Sequence, residues 1–401
     1  MIAELPTPYL ISTTGQLQTA LDGWQQESLI ALDTESNSLF AYREQICLVQ
    51  LSTRDQDYLI DPITVDLEPL RPLLADAAIE KVFHAAEYDL LCLKRDYDFT
   101  FANVFDTMFA ARVLGRKQFG LAALLLEFFD VQTDKHFQRA DWAQRPLPPA
   151  QLQYAQQDTH FLPTIRDQLL AELQAAGRLD EARELFDALT AVQPGVTSFD
   201  EEGYWRIASA RDFNRRQMAK LRELYLWRDV MAQQANCPPF RIIGDQALTA
   251  LIEANPRNYN DLFSIRGLPP SLAKRYGREL LNALARGSRA LLPERPGHTA
   301  RPEAIVQARY DALQAWRKMR AARRGVESDV IISKEAMWAM ANVPPHALDD
   351  LLNVPGLGPW RRSSYGPELL EVVTNARVEV LDAAADDDPL TAQETEATDK
   401  G

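Results

Sequence analysis

Cysteine and histidine are scarce in this chain, with three and five among 401 residues. Cys47, Cys92 and Cys237 lie far apart without metal-ligand spacing, which argues against a structural zinc site and against a disulfide framework. Cys47 and Cys92 fall in apolar segments and read as reduced core residues of a cytoplasmic protein. No apolar run approaches the ~18 residues that cross a bilayer, so no membrane partner is expected. Residues 1–8 lack a basic stretch followed by an apolar one, and no signal peptide is expected. What remains is globular composition, 46% hydrophobic and 25% charged. The length exceeds one ordinary core and predicts two or three domains, by default in a monomer.

The net charge of −14 hides an asymmetry. Residues 1–203 carry 15 Lys/Arg against 32 Asp/Glu, while residues 204–292 carry 15 against 7. Residues 293–375 are nearly balanced at 11 against 10, and residues 376–401 carry 2 against 8. An acidic half joined to a basic module divides labour between chemistry and the binding of a polyanion. The same charges also serve to solvate helix faces.

Apolar runs at Leu29–Asp33, Ile46–Leu51, Asp57–Asp61 and Ile79–Phe83 predict buried strands. Helical patterns follow at Glu87–Lys94, Val104–Leu114, Leu121–Phe129 and Pro149 to about Ala176. Together they predict a three-layer α/β domain over residues 1–190, with Gln132–Pro148 as a covering loop. Residues 191–203 read as a linker. Beyond it an offset of 89 maps Trp227-Arg228 onto Trp316-Arg317, Gly267-Leu268 onto Gly356-Leu357, and Tyr276-Gly277 onto Tyr365-Gly366. These matches predict a duplicated small helical domain, at 204–292 and 293–375. The near-neutral second copy is expected to pack more than it binds. Residues 376–401 read as a disordered acidic tail.

Candidate chemistry lies in the acids. Asp33 and Glu35 at i and i+2 of a strand share a face. Asp89 follows the fourth strand, on a helix whose core side is expected to hold Tyr88, Leu91 and Cys92. Tyr154 and Asp158 at i and i+4 share a helix face. Converging carboxylates would repel unless divalent cations neutralise them. Singly, each acid has an ordinary reading as a cap or surface group. Asp106 reads as a helix cap, and His84 as a hydrogen-bonded structural histidine or an orienting group for a carboxylate or phosphate.

The order and contexts of these motifs resemble a known family. Leu32-Asp-Thr-Glu35, Cys47-Leu-Val-Gln-Leu51, His84-Ala-Ala-Glu-Tyr-Asp89, Phe105-Asp-Thr-Met108, Ala140-Asp-Trp-Ala-Gln-Arg-Pro-Leu147 and Gln153-Tyr-Ala-Gln-Gln-Asp158 are similar to ribonuclease D, in the tyrosine-containing branch of the DEDD 3′→5′ exonucleases. The 89-residue repeat resembles the HRDC domain. The resemblance implies a ribonuclease H-like domain, a mixed sheet flanked by helices, followed by two all-α HRDC domains. It assigns metal binding to Asp33, Glu35, Asp89 and Asp158, and orientation of the attacking water to Tyr154. It further implies two divalent cations, Mg²⁺ or Mn²⁺, and removal of 5′-mononucleotides from RNA, with tRNA precursors as substrates. Glu35 is followed by Ser-Asn-Ser-Leu-Phe where many members place an aromatic, so Asn37, Leu39 or Phe40 would meet the terminal nucleotide. In the basic repeat, Arg211, Arg215, Arg216, Lys220 and Arg222, with Lys274, Arg275 and Arg278 at the Gly turn, are the expected phosphate contacts. A DNA-directed exonuclease and a non-catalytic nucleic-acid tether remain open from sequence alone.

Overall fold

A computed structural model describes residues 5–133, 136–195, 198–207, 210, 212–295 and 302–386; Arg211 and residues 387–401 of the expected tail lie outside them. Six strands form one sheet: β1 (Tyr9–Ile11), β2 (Leu29–Ser36), β3 (Ile46–Ser52), β4 (Asp57–Ile60), β5 (Glu80–Phe83) and β6 (Val104–Asp106). Their order is β1-β4-β3-β2-β5-β6, with β3 antiparallel to both neighbours and the remaining pairs parallel. Around it stand α1 (Thr14–Trp24), α2 (Arg71–Ala75), α3 (Glu87–Tyr97), α4 (Thr107–Val113), α5 (Leu121–Phe129), α6 (Pro149–His160), α7 (Leu162–Ala175) and α8 (Leu179–Thr190). Strand alternation sorts the core into two layers. Leu29, Ala31, Val82 and Phe105 pack with α4, α5, α7 and α8, whereas Ile30, Leu32, Phe83 and Val104 pack with α1, α2 and α3.

Three local expectations change. Val104–Asp106 is the edge strand β6 rather than the start of a helix, because it pairs in parallel with β5 and Asp106 caps α4 by accepting from the Phe109 N–H at 2.9 Å. The helix expected from Pro149 to Ala176 breaks at Phe161. Pro163 has no N–H to continue the ladder, and a second helix starts at Leu162 with this proline in its first turn. On α3, Tyr88 is exposed and Leu91 half-buried while Asp89 is buried with Leu90, Cys92 and Leu93, so of the expected core side only Cys92 is fully inside.

The duplication is carried in every helix start. The first copy comprises α9 (Arg215–Ala235), α10 (Pro239–Ile242), α11 (Asp245–Ala254) and α12 (Pro270–Arg289); the second comprises α13 (Ala304–Arg324), α14 (Ser328–Ile331), α15 (Lys334–Asn342) and α16 (Pro359–Asp386). Helix α16 runs past residue 375, so the start of the expected tail is helical. The second copy shares a continuous core with the α/β domain, where Trp316, Ile331, Leu357 and Leu369 cluster with Phe105 and Phe186. Buried Glu181 receives the Arg324 guanidinium through both oxygens, at 2.6 and 2.5 Å. Glu184 accepts from the Gly358, Trp360 and Arg361 backbone N–H groups at 3.2, 2.6 and 3.2 Å. A Cβ on Gly358 would stand 2.2 Å from Glu184, so only glycine permits this approach. The near-neutral repeat thus packs directly against the α/β domain.

Candidate metal and nucleic-acid site

Strand β2 outruns its neighbour. Its pairing with β5 ends at Ala31–Val82, while its pairing with β3 continues through Asp33–Gln50 and Glu35–Leu48. The chain leaving β5 turns through Ala85, at φ 62, into α3, which brings Asp89 to the open flank of β2. Asp106 fixes that turn, accepting from the Ala86 N–H at 2.7 Å while it caps α4. On the other side α6 presents Asp158 one helical turn beyond Tyr154.

Carboxylate oxygens of Asp33, Glu35 and Asp158 lie within 4.8 Å of one another. Asp89 joins them through Thr34, whose hydroxyl donates to Asp89 Oδ1 at 2.5 Å. The four thus converge, each enclosed by protein, with Asp33, Glu35 and Asp158 partly open along the cleft. Among the described residues none of the four has a Lys or Arg ion-pair partner. Burial, then repulsion from Asp89, Asp158 and Glu35, raises the Asp33 carboxyl well above its ordinary value. Burial and then Asp158 and Asp89 push Glu35 to about 9. Burial pushes Asp89 and Asp158 each to about 7, the latter aided by repulsion from Asp89. Oxygen-only donors crowded without a protein cation fit hard divalent ions. Gln50, opposite Asp33 in the β2–β3 register and fully buried, has an amide without a partner among the described residues, a polar group suited to hold water there.

Tyr154 is held by rings from the loop before α6. Phe137 and Trp142 lie 5.8 and 6.1 Å from it, centroid to centroid. Arg145 anchors that loop by bonding Asp61 at 2.6 and 2.8 Å and the Trp142 carbonyl at 2.7 Å. Burial, followed by repulsion from Asp158, Glu35 and Asp33, raises the Tyr154 phenol above its ordinary range. It therefore stays protonated, with a hydrogen to donate. Beside it opens a cavity of about 280 Å³ lined by His84, Gln138, Gln157 and Asp158. His84 is lowered to about 4 by burial and is neutral at physiological pH. A larger space of about 660 Å³ lies between α8 and the Gly356–Arg361 turn, away from the acids.

The expected nucleic-acid contacts divide. Asn37 is buried and its Oδ1 accepts from the Gln45 N–H, so it shapes the β2–β3 loop. Phe40 carries the Arg241 guanidinium 4.1 Å above its ring, and Leu39 is the exposed apolar residue of the three. Arg215 bonds the Pro293 carbonyl and Arg216 the Ala290 carbonyl, securing the end of α12 against α9. Lys220 donates to Asn255 Oδ1 at 2.6 Å. Lys274, Arg275 and Arg278 are exposed around a space of about 580 Å³ beside Tyr259. Thr34, Gln50, Gln157 and the Phe137–Trp142 wall were not singled out from sequence; Ala-Asp-Trp before the α6 proline was the signal available for Trp142.

A 3′-5′ exonuclease family model matches residues 8–174, and the HRDC domain matches residues 217–284 and 306–373. The chain is 32% identical over 397 residues to ribonuclease D of Acidiphilium cryptum, covering 94% of this chain and 98% of that one. It is 32% identical over 274 residues to the exosome complex exonuclease RRP6 of Saccharomyces cerevisiae, covering 64% of this chain and 37% of that protein. Among solved structures, Escherichia coli RNase D, described as an exoribonuclease involved in structured RNA processing, superposes with a TM-score of 0.64 at 25% identity. That match covers 92% of this chain and 99% of the other.

Proposed function

The chain belongs to the ribonuclease D family and is a divalent-metal-dependent 3′→5′ exoribonuclease, and from that premise we propose that Asp33, Glu35, Asp89 and Asp158 hold two cations, Mg²⁺ or Mn²⁺. The observation that carries this reading is the convergence of three carboxylates within 4.8 Å, with a fourth hydrogen-bonded to the strand between two of them. When bound, the cations supply the charge that activates water and stabilises the leaving 3′-oxygen. The protein's own contribution is position. Tyr154, protonated and wedged by Phe137 and Trp142, donates to the attacking water and aims its lone pair at phosphorus. Thr34 keeps the Asp89 carboxylate in place from behind.

The substrate is an RNA 3′ end, and tRNA precursors are the proposed class. Lys274, Arg275 and Arg278, exposed on the basic repeat, supply phosphate contacts. Arg215 and Arg216 hold carbonyls at the far end of α12, and Lys220 holds Asn255, so these three brace α9. Leu39 is proposed to meet the terminal nucleotide. The protein acts as a monomer in the cytoplasm, in keeping with its free cysteines. Digestion of a tRNA precursor beside single-stranded DNA of equal length tests the substrate. Preferential shortening of the precursor is expected, and equal or faster loss of DNA would make the DNA-directed reading correct.

A further inference from the structure

The mechanism above leaves His84 without a task, although it lines the cavity shared by Tyr154 and Asp158. Its hydrogen bonding fixes which nitrogen carries the proton. Thr107 is fully buried and its hydroxyl donates to the Phe83 carbonyl at 3.0 Å. A hydroxyl has one proton, so the second contact of Thr107 Oγ1, at 2.9 Å to His84 Nδ1, must be one in which it accepts. His84 is therefore the Nδ1–H tautomer, and Nε2 carries a lone pair. Among the described residues Nε2 has no hydrogen-bond partner, and it is not among the sealed polar atoms.

A lone pair repels phosphate oxygens, so this position suits a donor. Next to the reacting phosphate, the donors a nucleic acid offers are sugar hydroxyls, since the 2′-oxygen is vicinal to the 3′-oxygen and the base edges lie farther off. An exonuclease that removes every base in turn gains nothing from reading a base edge beside its metal site. We infer that His84 accepts a hydrogen bond through Nε2 from the 2′-hydroxyl of a ribose flanking the scissile phosphate, and so helps this site prefer RNA to DNA. The inference rests on the exoribonuclease reading of the same site. His84 is then a specificity residue rather than a phosphate-orienting one.

The test uses full-length protein, Mg²⁺ and a short single-stranded RNA carrying one 2′-deoxy nucleotide at the terminal or the penultimate position. For the wild type, deoxy substitution at one of these positions should lower kcat/KM about 3- to 10-fold, the scale of one net hydrogen bond. In His84→Phe the all-ribose substrate should fall to that level, with no further loss on deoxy substitution there. His84→Gln, whose amide oxygen is an acceptor, should recover part of the difference. Equal losses by His84→Phe on ribose and deoxy substrates would overturn the inference, as would a wild type indifferent to both substitutions. Should His84→Phe fail to fold, the wild type alone decides with a 2′-O-methyl nucleotide at the sensitive position. That group keeps the oxygen but has no proton to donate; hydrolysis at least as slow as with 2′-deoxy supports the inference, and hydrolysis at the ribose rate overturns it. Failure of the wild type to shorten the all-ribose RNA would contradict the exonuclease assignment itself, a result distinct from all of these.

Discussion

Thr34 stands between the two acids of β2, and its hydroxyl donates to Asp89 Oδ1 at 2.5 Å, tying the strand to the first turn of α3. Asp89 can then present its other oxygen to a cation in one orientation. Thr34→Val keeps the shape and removes the donor. It should raise the Mg²⁺ or Mn²⁺ concentration needed for half-maximal activity about 10- to 100-fold, the cost typical of a lost outer partner of a ligand. Thr34→Ser should restore it. Metal titration of activity, checked by calorimetric Mn²⁺ binding, decides; unchanged metal dependence in Thr34→Val would remove the hydroxyl from this role.

Tyr154 is packed by Phe137 and Trp142 and raised by burial among acids, so its proton is available to a water rather than lost to solvent. Tyr154→Phe should lower kcat about 10²-fold with metal affinity and KM little changed. Single-turnover kinetics separates these quantities. A Tyr154→Phe rate equal to the wild type would reject the water-positioning role.

The raised carboxyls make a statement about pH. Unfolded, these acids titrate near ~4; folded and metal-free, Asp89 and Asp158 lie at about 7 and Glu35 at about 9. Between those limits the folded state binds more protons than the unfolded one, so this contribution to stability is full below about 4 and is lost as pH rises through about 9. Metal-free Asp33→Asn, with one fewer charge in the cluster, should therefore gain thermal stability over metal-free wild type, and the gain should widen from pH 5 to pH 8. Divalent cation at about 100 times its Kd should stabilise the wild type by about 2.7 kcal/mol, and far less at pH 5. Calorimetry with and without chelator measures both. A gain that narrows with rising pH would contradict the assignment of these shifts.

Lys274, Arg275 and Arg278 are exposed and make no ion pair among the described residues. Replacing all three with Ala should weaken binding to single-stranded RNA and reduce the slope of log K against log salt by about 2, the loss of three phosphate contacts at about 0.7 each. Fluorescence anisotropy across a salt series reads the slope. An unchanged slope would place the phosphate contacts elsewhere.

Sequence carried the fold where its periodicity was local. The four long strand runs and the repeat were legible because alternation and an exact offset need no tertiary context, and the helix starts of the two copies keep that offset of 89 residues. Val104–Asp106 misled because a three-residue edge strand running into a capped helix has a helical pattern overall. Asp89 and Tyr88 exchanged places because the facing of α3 is set by the turn at Ala85 and by Asp106, not by the apolar count of the helix. The acid set was legible through its motifs. The Thr34 bond and the His84 tautomer were not, since each depends on a partner distant in sequence, and the orphaned Gln50 amide follows from tertiary burial alone.

The central claim is that these acids form one hydrolytic site acting from the 3′ end. A single-stranded RNA labelled at its 5′ end, incubated with Mg²⁺, should give a ladder shortening one nucleotide at a time from the 3′ end, with 5′-mononucleotides released. The ladder should vanish with chelator or in Asp158→Asn, while Asp158→Asn still binds the RNA. Undiminished shortening by Asp158→Asn, or by the wild type in the presence of chelator, would contradict the account.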